Sequence, residues 1–383
     1  MRVAMNVEQL FYRVPGGTGR YTARLTAALA AEFPADVVVP FVAWHGRRAL
    51  EAGLARFELD RGLAPTVRLP LPRPALYDAW NVLGAPRPEL FATSLRRADV
   101  VHSPAPVAPP VRGHLVVTVH DAAFALYPES YPRRGLRFHE RSLTRVAERA
   151  DVVLTVTHAA ADEIVAHTPV RREQLRVVLS GVDHRTALPS EVDDALGRHD
   201  LAGSPYVLWV GSLEPRKNVG TLVQAFAELV RTDAVPHRLA LVGPLGWLHR
   251  DLISDRDRAV LGDRLRVLGP VDEQDLRALY AGASLFAFPS LHEGFGLPVL
   301  EAMVQGTPVI CSDIPALREV GGEAACLVPA RDVGRWTEAI GELATDADRQ
   351  RSLASAGRQR AAGFGWERTA RETHAVYEEL LAR

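Results

Sequence analysis

Residues Tyr206–Val230 read YVLWVGSLEPRKNVGTLVQAFAELV. The run Tyr206–Gly211 is apolar without alternation, which fits a strand buried on both faces, as in a parallel sheet. From Val219 the apolar residues Val219, Leu222, Val223, Phe226 and Val230 fall on one helical face. Strand, polar turn and helix together make one half of a βαβ unit.

The unit recurs along the chain. Further candidate strands are Arg2–Asn6, Val37–Trp44, Asp99–His102, Leu115–His120, Asp151–Thr157 and Leu175–Leu179. A second series adds Arg238–Val242, Arg264–Leu268, Ser284–Phe288, Pro308–Ser312 and Ala325–Val328. Helical periodicity lies between them, as in Tyr21–Glu32 and Val299–Val304. This pattern predicts an α/β fold with parallel sheets and right-handed crossovers. The polar stretch Asp183–Pro205, with Pro189, Gly197, Gly203 and Pro205, separates the two series. A length of 383 residues suits two domains. The expected division is 1–183, a linker 184–204, a second domain 205–364, and a last helix 365–383 packing back on the first domain.

Composition removes several function classes. No apolar run approaches the roughly 18–20 residues that span a bilayer. Met1–Gln9 shows no secretory pattern. Cys311 and Cys326 make no disulfide framework, so a cytoplasmic protein is the simplest expectation. A net charge of −1 speaks against a nucleic-acid binder. The charge is uneven: residues 1–190 hold 24 Arg against 18 acids, and the remainder is acidic. Lys217 is the only lysine in the chain. A compact ammonium at that position differs from another arginine in what it binds best.

Lys217 sits in Gly211-Ser212-Leu213-Glu214-Pro215-Arg216-Lys217-Asn218, between a strand end and a helix start. Ligands of open α/β sheets bind beyond the carboxyl ends of the strands, and helix N-termini attract anions. Arg216 and Lys217 add two full charges, a combination suited to a diphosphate. An ordinary solvated basic pair is the plain alternative. The second segment is Pro289-Ser290-Leu291-His292-Glu293-Gly294-Phe295-Gly296-Leu297-Pro298-Val299-Leu300-Glu301. Its glycines let backbone N–H groups approach oxyanions. Glu301, one turn into a helix, can accept from two vicinal ribose hydroxyls, and Glu293 can do the same for a sugar ring. A lone acid near a helix start is common for dipole reasons. Two, eight residues apart across a glycine-rich turn, are more specific.

Glu293–Glu301 resembles the E-x7-E motif of retaining GT-B glycosyltransferases, specifically glycosyltransferase family 4. The resemblance covers nearly the whole chain. Pro15-Gly16-Gly17-Thr18-Gly19 resembles the family's N-terminal Gly-rich loop. His120-Asp121 resembles the His-Asp of its mannosyltransferase-like branch. Ala150–Thr157, Gly181-Val182-Asp183, Gly211–Asn218 and Pro315–Gly322 match further motifs in the family's order. The turn Thr157-His158-Ala159-Ala160 departs from the family's Ser-x-x-Ser, which makes capping there less certain, and Ser180 replaces an Asn at the hinge.

The resemblance implies a GT-B fold, two Rossmann-like domains facing across a cleft, with the acceptor on the first and the nucleotide-sugar donor on the second. It implies that Arg216 and Lys217 neutralise the donor diphosphate, with backbone at Phe295, Gly296 and Leu297. It implies that Glu301 holds the ribose, Glu293 the transferred sugar, and Val271 the base. Gly17 would approach phosphate and acceptor, and His120 would line the sugar site. The expected reaction is retaining hexosyl transfer to a hydroxyl acceptor: a glycan, a lipid-linked glycan or a small scaffold. The His120-Asp121 segment with Tyr127-Pro128-Glu129 leans towards GDP-mannose as donor. No metal is expected: Asp255-Arg256-Asp257 and Asp346-Ala347-Asp348 lie in polar, helix-like stretches rather than at a strand end. A sugar phosphorylase, a nucleotide-sugar epimerase and a degenerate binding subunit are the alternatives. Lastly, Arg133, Arg137, Arg141, Arg145 and Arg149 recur every four residues. A solvated face paired with Glu140 and Glu148 is the preferred reading, and peripheral contact with an anionic membrane or a lipid-diphosphate acceptor is the functional one.

Overall fold

The computed structural model describes residues 1–59, 62–246 and 252–383. Among them are thirteen strands in two sheets. The first sheet holds β1 (Arg2–Asn6), β2 (Val37–Val42), β3 (Val67–Arg68), β4 (Val100–Ser103), β5 (His114–Thr118), β6 (Val152–Thr155) and β7 (Leu175–Val177), in the order β3-β2-β1-β4-β5-β6-β7. The second holds β8 (Tyr206–Val210), β9 (Arg238–Val242), β10 (Leu265–Gly269), β11 (Leu285–Phe288), β12 (Val309–Ser312) and β13 (Ala325–Val328), in the order β10-β9-β8-β11-β12-β13. Every pairing is parallel. This is the GT-B architecture. The two-residue β3 carries too little periodicity to be seen in sequence.

The central strands are apolar along their whole length because helices cover both faces. Val207, Leu208 and Trp209 are fully buried, as are Phe226 and Leu222 of the following helix, Val219–Arg231. Full burial of each such side chain contributes roughly 1.5–3 kcal/mol before entropy is counted. Trp336 and Ile340 close the same core from the helix Val333–Thr345.

The chain forms two units. One comprises Met1–Gly181 with Gly365–Arg383, the other Val182–Phe364. In the first, the final helix Trp366–Leu381 lies against the helix Gly16–Glu32. Thr369 Oγ1 donates to the Leu179 carbonyl at 2.8 Å, and Tyr377 Oη lies 2.6 Å from His102 Nδ1. His374 stacks on Phe33 at 3.6 Å and reaches Asp36 at 2.8 Å.

Two local expectations are revised. The Gly-rich run at 15–19 is the first turn of the helix Gly16–Glu32 rather than a loop, and Gly17 is exposed there. Thr157 caps the helix His158–His167, its Oγ1 accepting from Ala160 N–H at 2.9 Å, so the cap is present without the second hydroxyl. The two Asp-x-Asp strings lie at helix starts. Ser254 caps the helix carrying Asp255 and Asp257, and Asp346 caps the helix Ala347–Ala361 by accepting from Arg349 N–H at 2.9 Å.

Candidate active site

The second sheet grows in opposite directions from β8 and β11, its two central neighbours. Such a switch point is where open α/β sheets bind ligands. Gly211–Asn218 follows β8 and Pro289–Gly296 follows β11, so both motifs flank it. Hydrogen bonds to backbone carbonyls tie the loops together. Leu291 N–H donates to the Arg216 carbonyl at 2.9 Å, Arg216 Nη1 to the His292 carbonyl at 2.8 Å, and Asn218 Nδ2 to the Pro289 carbonyl at 3.0 Å. Asn218 adopts a left-handed conformation, φ +54°, at the junction with the helix. Its amide also donates to the Ala330 carbonyl at 2.7 Å and its oxygen accepts from Thr221 Oγ1 at 2.8 Å. These bonds hold a conformation that costs a non-glycine residue energy.

The charges meet directly. Lys217 Nζ donates to Glu293 Oε1 at 2.6 Å, and Arg216 Nη1 lies 3.7 Å from Glu293 Oε2. Arg216 Nη2 donates to Glu214 Oε1 at 2.8 Å. The four side chains are only 5–16% exposed, so their attraction is little screened. Burial opposes ionisation of Glu293. The Lys217 and Arg216 charges and the Lys217 hydrogen bond outweigh it and hold the carboxyl below its ordinary range. Lys217 also lies over the Phe288 ring at 5.3 Å. The result is a neutral group of two cations and two carboxylates in a nearly dry place.

Gly296 begins the next helix, Leu297–Gln305, at φ +108°, and a Cβ there would stand 2.4 Å from Leu317 Cδ2. The left-handed backbone favours glycine, and any Cβ there would require the Leu317 side chain to shift. Phe295 is buried with its ring edge-on to Phe364 at 6.0 Å, while Leu297 and Val271 are partly buried. Glu301 accepts from Tyr280 Oη at 3.0 Å. Tyr280 belongs to the helix Glu273–Gly282 and is itself locked: its ring meets Phe286 edge-on at 5.3 Å and its carbonyl accepts from Thr307 Oγ1 at 2.5 Å.

In the first unit, His120 follows β5 with Nε2 3.1 Å from the Pro104 carbonyl. A carbonyl only accepts, so Nε2 carries the proton. Burial lowers the His120 pKa, against weaker opposition from that carbonyl and Asp121. His102, in the core of the same unit, is pushed down to about 3 by burial and then by His120. Both rings are therefore neutral near pH 7.

Arg216, Lys217 and Glu293 are thus brought into one contact group, and Glu301 is held separately by Tyr280. Glu214, Asn218 and Tyr280 were not singled out from sequence. Glu214 and Asn218 sit inside a quoted motif. Tyr280 reads simply as one apolar position of a helix.

Comparison with known proteins adds the family. Residues 15–186 match the model "Glycosyltransferase Family 4" and residues 204–346 the model "Glycosyl transferases group 1". The chain is 33% identical to the O-antigen chain mannosyltransferase B of Escherichia coli, over 80% of this chain and 81% of that one. It is 31% identical to the MMP alpha-(1->4)-mannosyltransferase of Mycolicibacterium hassiacum, over 99% of both. The fold matches Anabaena Alr3699/HepE, solved in complex with UDP-glucose, with a TM-score of 0.73 at 18% identity, over 99% of this chain and 100% of that one. With both units matched and mannosyltransferases among its near full-length relatives, the chain belongs to glycosyltransferase family 4 and is a GT-B glycosyltransferase.

Proposed function

We propose that this enzyme transfers a mannosyl group from GDP-mannose to a hydroxyl acceptor, with retention at the anomeric carbon and without a metal ion. The acceptor class is a glycan, a lipid-linked glycan or a small hydroxylated scaffold. The buried contact of Lys217 and Arg216 with Glu293 carries this reading. As the glycosidic bond breaks, negative charge grows on the departing diphosphate and positive charge on the sugar. Two preorganised cations favour the first, and a carboxylate released from Lys217 by the diphosphate favours the second. Arg216 and Lys217 thereby supply the charge that a divalent metal supplies elsewhere. Mannose is preferred because the two relatives that cover 80% and 99% of this chain, at 33% and 31% identity, are mannosyltransferases.

Melting temperature in the presence of GDP, UDP, ADP and dTDP, each with and without EDTA, tests the donor. A nucleotide at a hundred times its dissociation constant stabilises by about 2.7 kcal/mol. GDP is expected to give the largest shift, unchanged by EDTA. A larger shift with another nucleotide replaces the donor, and loss of the shift with EDTA refutes the metal-free site.

Glu301 is assigned to the ribose diol, with Tyr280 fixing its carboxylate plane. Tyr280→Phe is expected to weaken GDP binding about tenfold, the value of one bond to a charged group. It is also expected to reduce the preference for GDP over 2′-deoxy-GDP, measured by calorimetry. An unchanged preference with weaker binding of both assigns Tyr280 to packing alone.

A further inference from the structure

Among the described residues, the two most exposed large apolar side chains are Leu83 (76%) and Leu90 (67%). Val82 and Phe91, also exposed, adjoin them in sequence. Four such residues fall within ten positions of the chain, a density of exposed apolar side chains that suits a contact site. The segment is a fixed projection. Leu83 and Gly84 N–H groups donate to the Ala79 carbonyl at 2.8 and 3.0 Å, ending the helix Arg73–Val82. Trp80 Nε1 donates to the Pro86 carbonyl at 2.9 Å and folds the chain back. Glu89 accepts from Arg112 N–H at 2.7 Å.

The arginine stripe meets this projection. Arg145 donates to the carbonyls of Asn81 and Val82 at 2.9 and 3.3 Å and pairs with Glu148 at 2.8 Å. Arg149 donates to the Trp80 and Ala108 carbonyls at 3.3 and 3.4 Å. These two therefore strap the helix Arg133–Arg149 to the apolar tip, while Arg133, Arg137 and Arg141 remain exposed. The helix holds six Arg against two Glu, and residues 82–97 hold three Arg against one Glu, in a chain of net charge −1.

We propose that the Leu83–Phe91 projection and the Arg137–Arg141 face beside it form a docking surface for an anionic phospholipid bilayer. The leucines enter the boundary between headgroups and acyl chains, and the arginines meet lipid phosphates. The charge selects this occupant. A two-fold contact with a second copy would set the same arginines against each other. No helix among the described residues is long and apolar enough to cross a membrane, so attachment is to one face.

The test is cosedimentation of the full chain with vesicles of phosphatidylcholine alone, and of phosphatidylcholine with phosphatidylglycerol in equal parts. Binding is expected only with phosphatidylglycerol. It should fall when salt rises from 0.1 to 1 M, which shortens the screening length from about 10 to about 3 Å. One arginine near such a surface is worth about fivefold, so Arg137→Gln with Arg141→Gln should weaken binding at least about tenfold. Leu83→Ser with Leu90→Ser should weaken it comparably, with the GDP-induced melting shift retained as the control for folding. As an independent reading, Leu83→Trp should show blue-shifted fluorescence on phosphatidylglycerol vesicles only. Three results would overturn the proposal: no binding to phosphatidylglycerol at low salt, undiminished binding by both double variants, or a dimer in solution dissociated by the leucine substitutions.

Discussion

Lys217→Ala is expected to lower kcat/KM for the nucleotide-sugar donor about a hundredfold while the enzyme stays folded. A hydrogen bond to a charged group contributes about 1.5–3 kcal/mol, and about 2.7 kcal/mol is a factor of a hundred in rate. The charge on the leaving diphosphate grows towards the transition state, so the loss should appear in kcat as well as in KM. Arg216 cannot take over. Its guanidinium is held by Glu214 at 2.8 Å and by the His292 carbonyl at 2.8 Å. Lys217→Arg keeps the charge but must fit a planar fork into a site 12% exposed beside Phe288, so an intermediate loss of about tenfold is expected. Steady-state kinetics with GDP-mannose measures both. Turnover by Lys217→Ala indistinguishable from the unmodified enzyme would remove the diphosphate role.

How far the sequence discloses this site depends on the distance over which each contact acts. Unbroken apolar runs such as Tyr206–Val210 and Leu285–Phe288 announce buried parallel strands, because helices on both faces leave no polar side. β3 escapes because two residues define no period. The Lys217–Glu293 contact joins residues 76 apart, which no local spacing encodes. Only their separate positions after strand ends could be read. Tyr280 is harder still: its role depends on one hydroxyl reaching Glu301 from a neighbouring helix, while its ring fills core like any aromatic. The arginine stripe shows the opposite failure. Five equally spaced residues look equivalent in sequence, yet Arg145 and Arg149 satisfy backbone carbonyls at a helix end and Arg141 does not share that task.

Glu293→Gln should move nucleotide binding and catalysis in opposite directions. The substitution keeps shape and removes one negative charge. Lys217 and Arg216 are then balanced by Glu214 alone, so an incoming diphosphate no longer competes with a carboxylate for the ammonium. Affinity for GDP is expected to rise about tenfold, by the loss of one competing charge-assisted contact. Without nucleotide the melting temperature should fall, since removing one partner of a buried pair leaves uncompensated charge, and GDP should restore it. Turnover should drop about a hundredfold, because a neutral amide answers neither the sugar hydroxyls nor the positive charge developing on the ring as a carboxylate does. Calorimetry, melting curves and single-turnover rates read the three quantities separately. If GDP affinity falls together with turnover, Glu293 serves only to position Lys217 and Arg216, and its assignment to the transferred sugar fails. If affinity rises while turnover is unchanged, the carboxylate is a counter-ion of the empty site and takes no part in transfer.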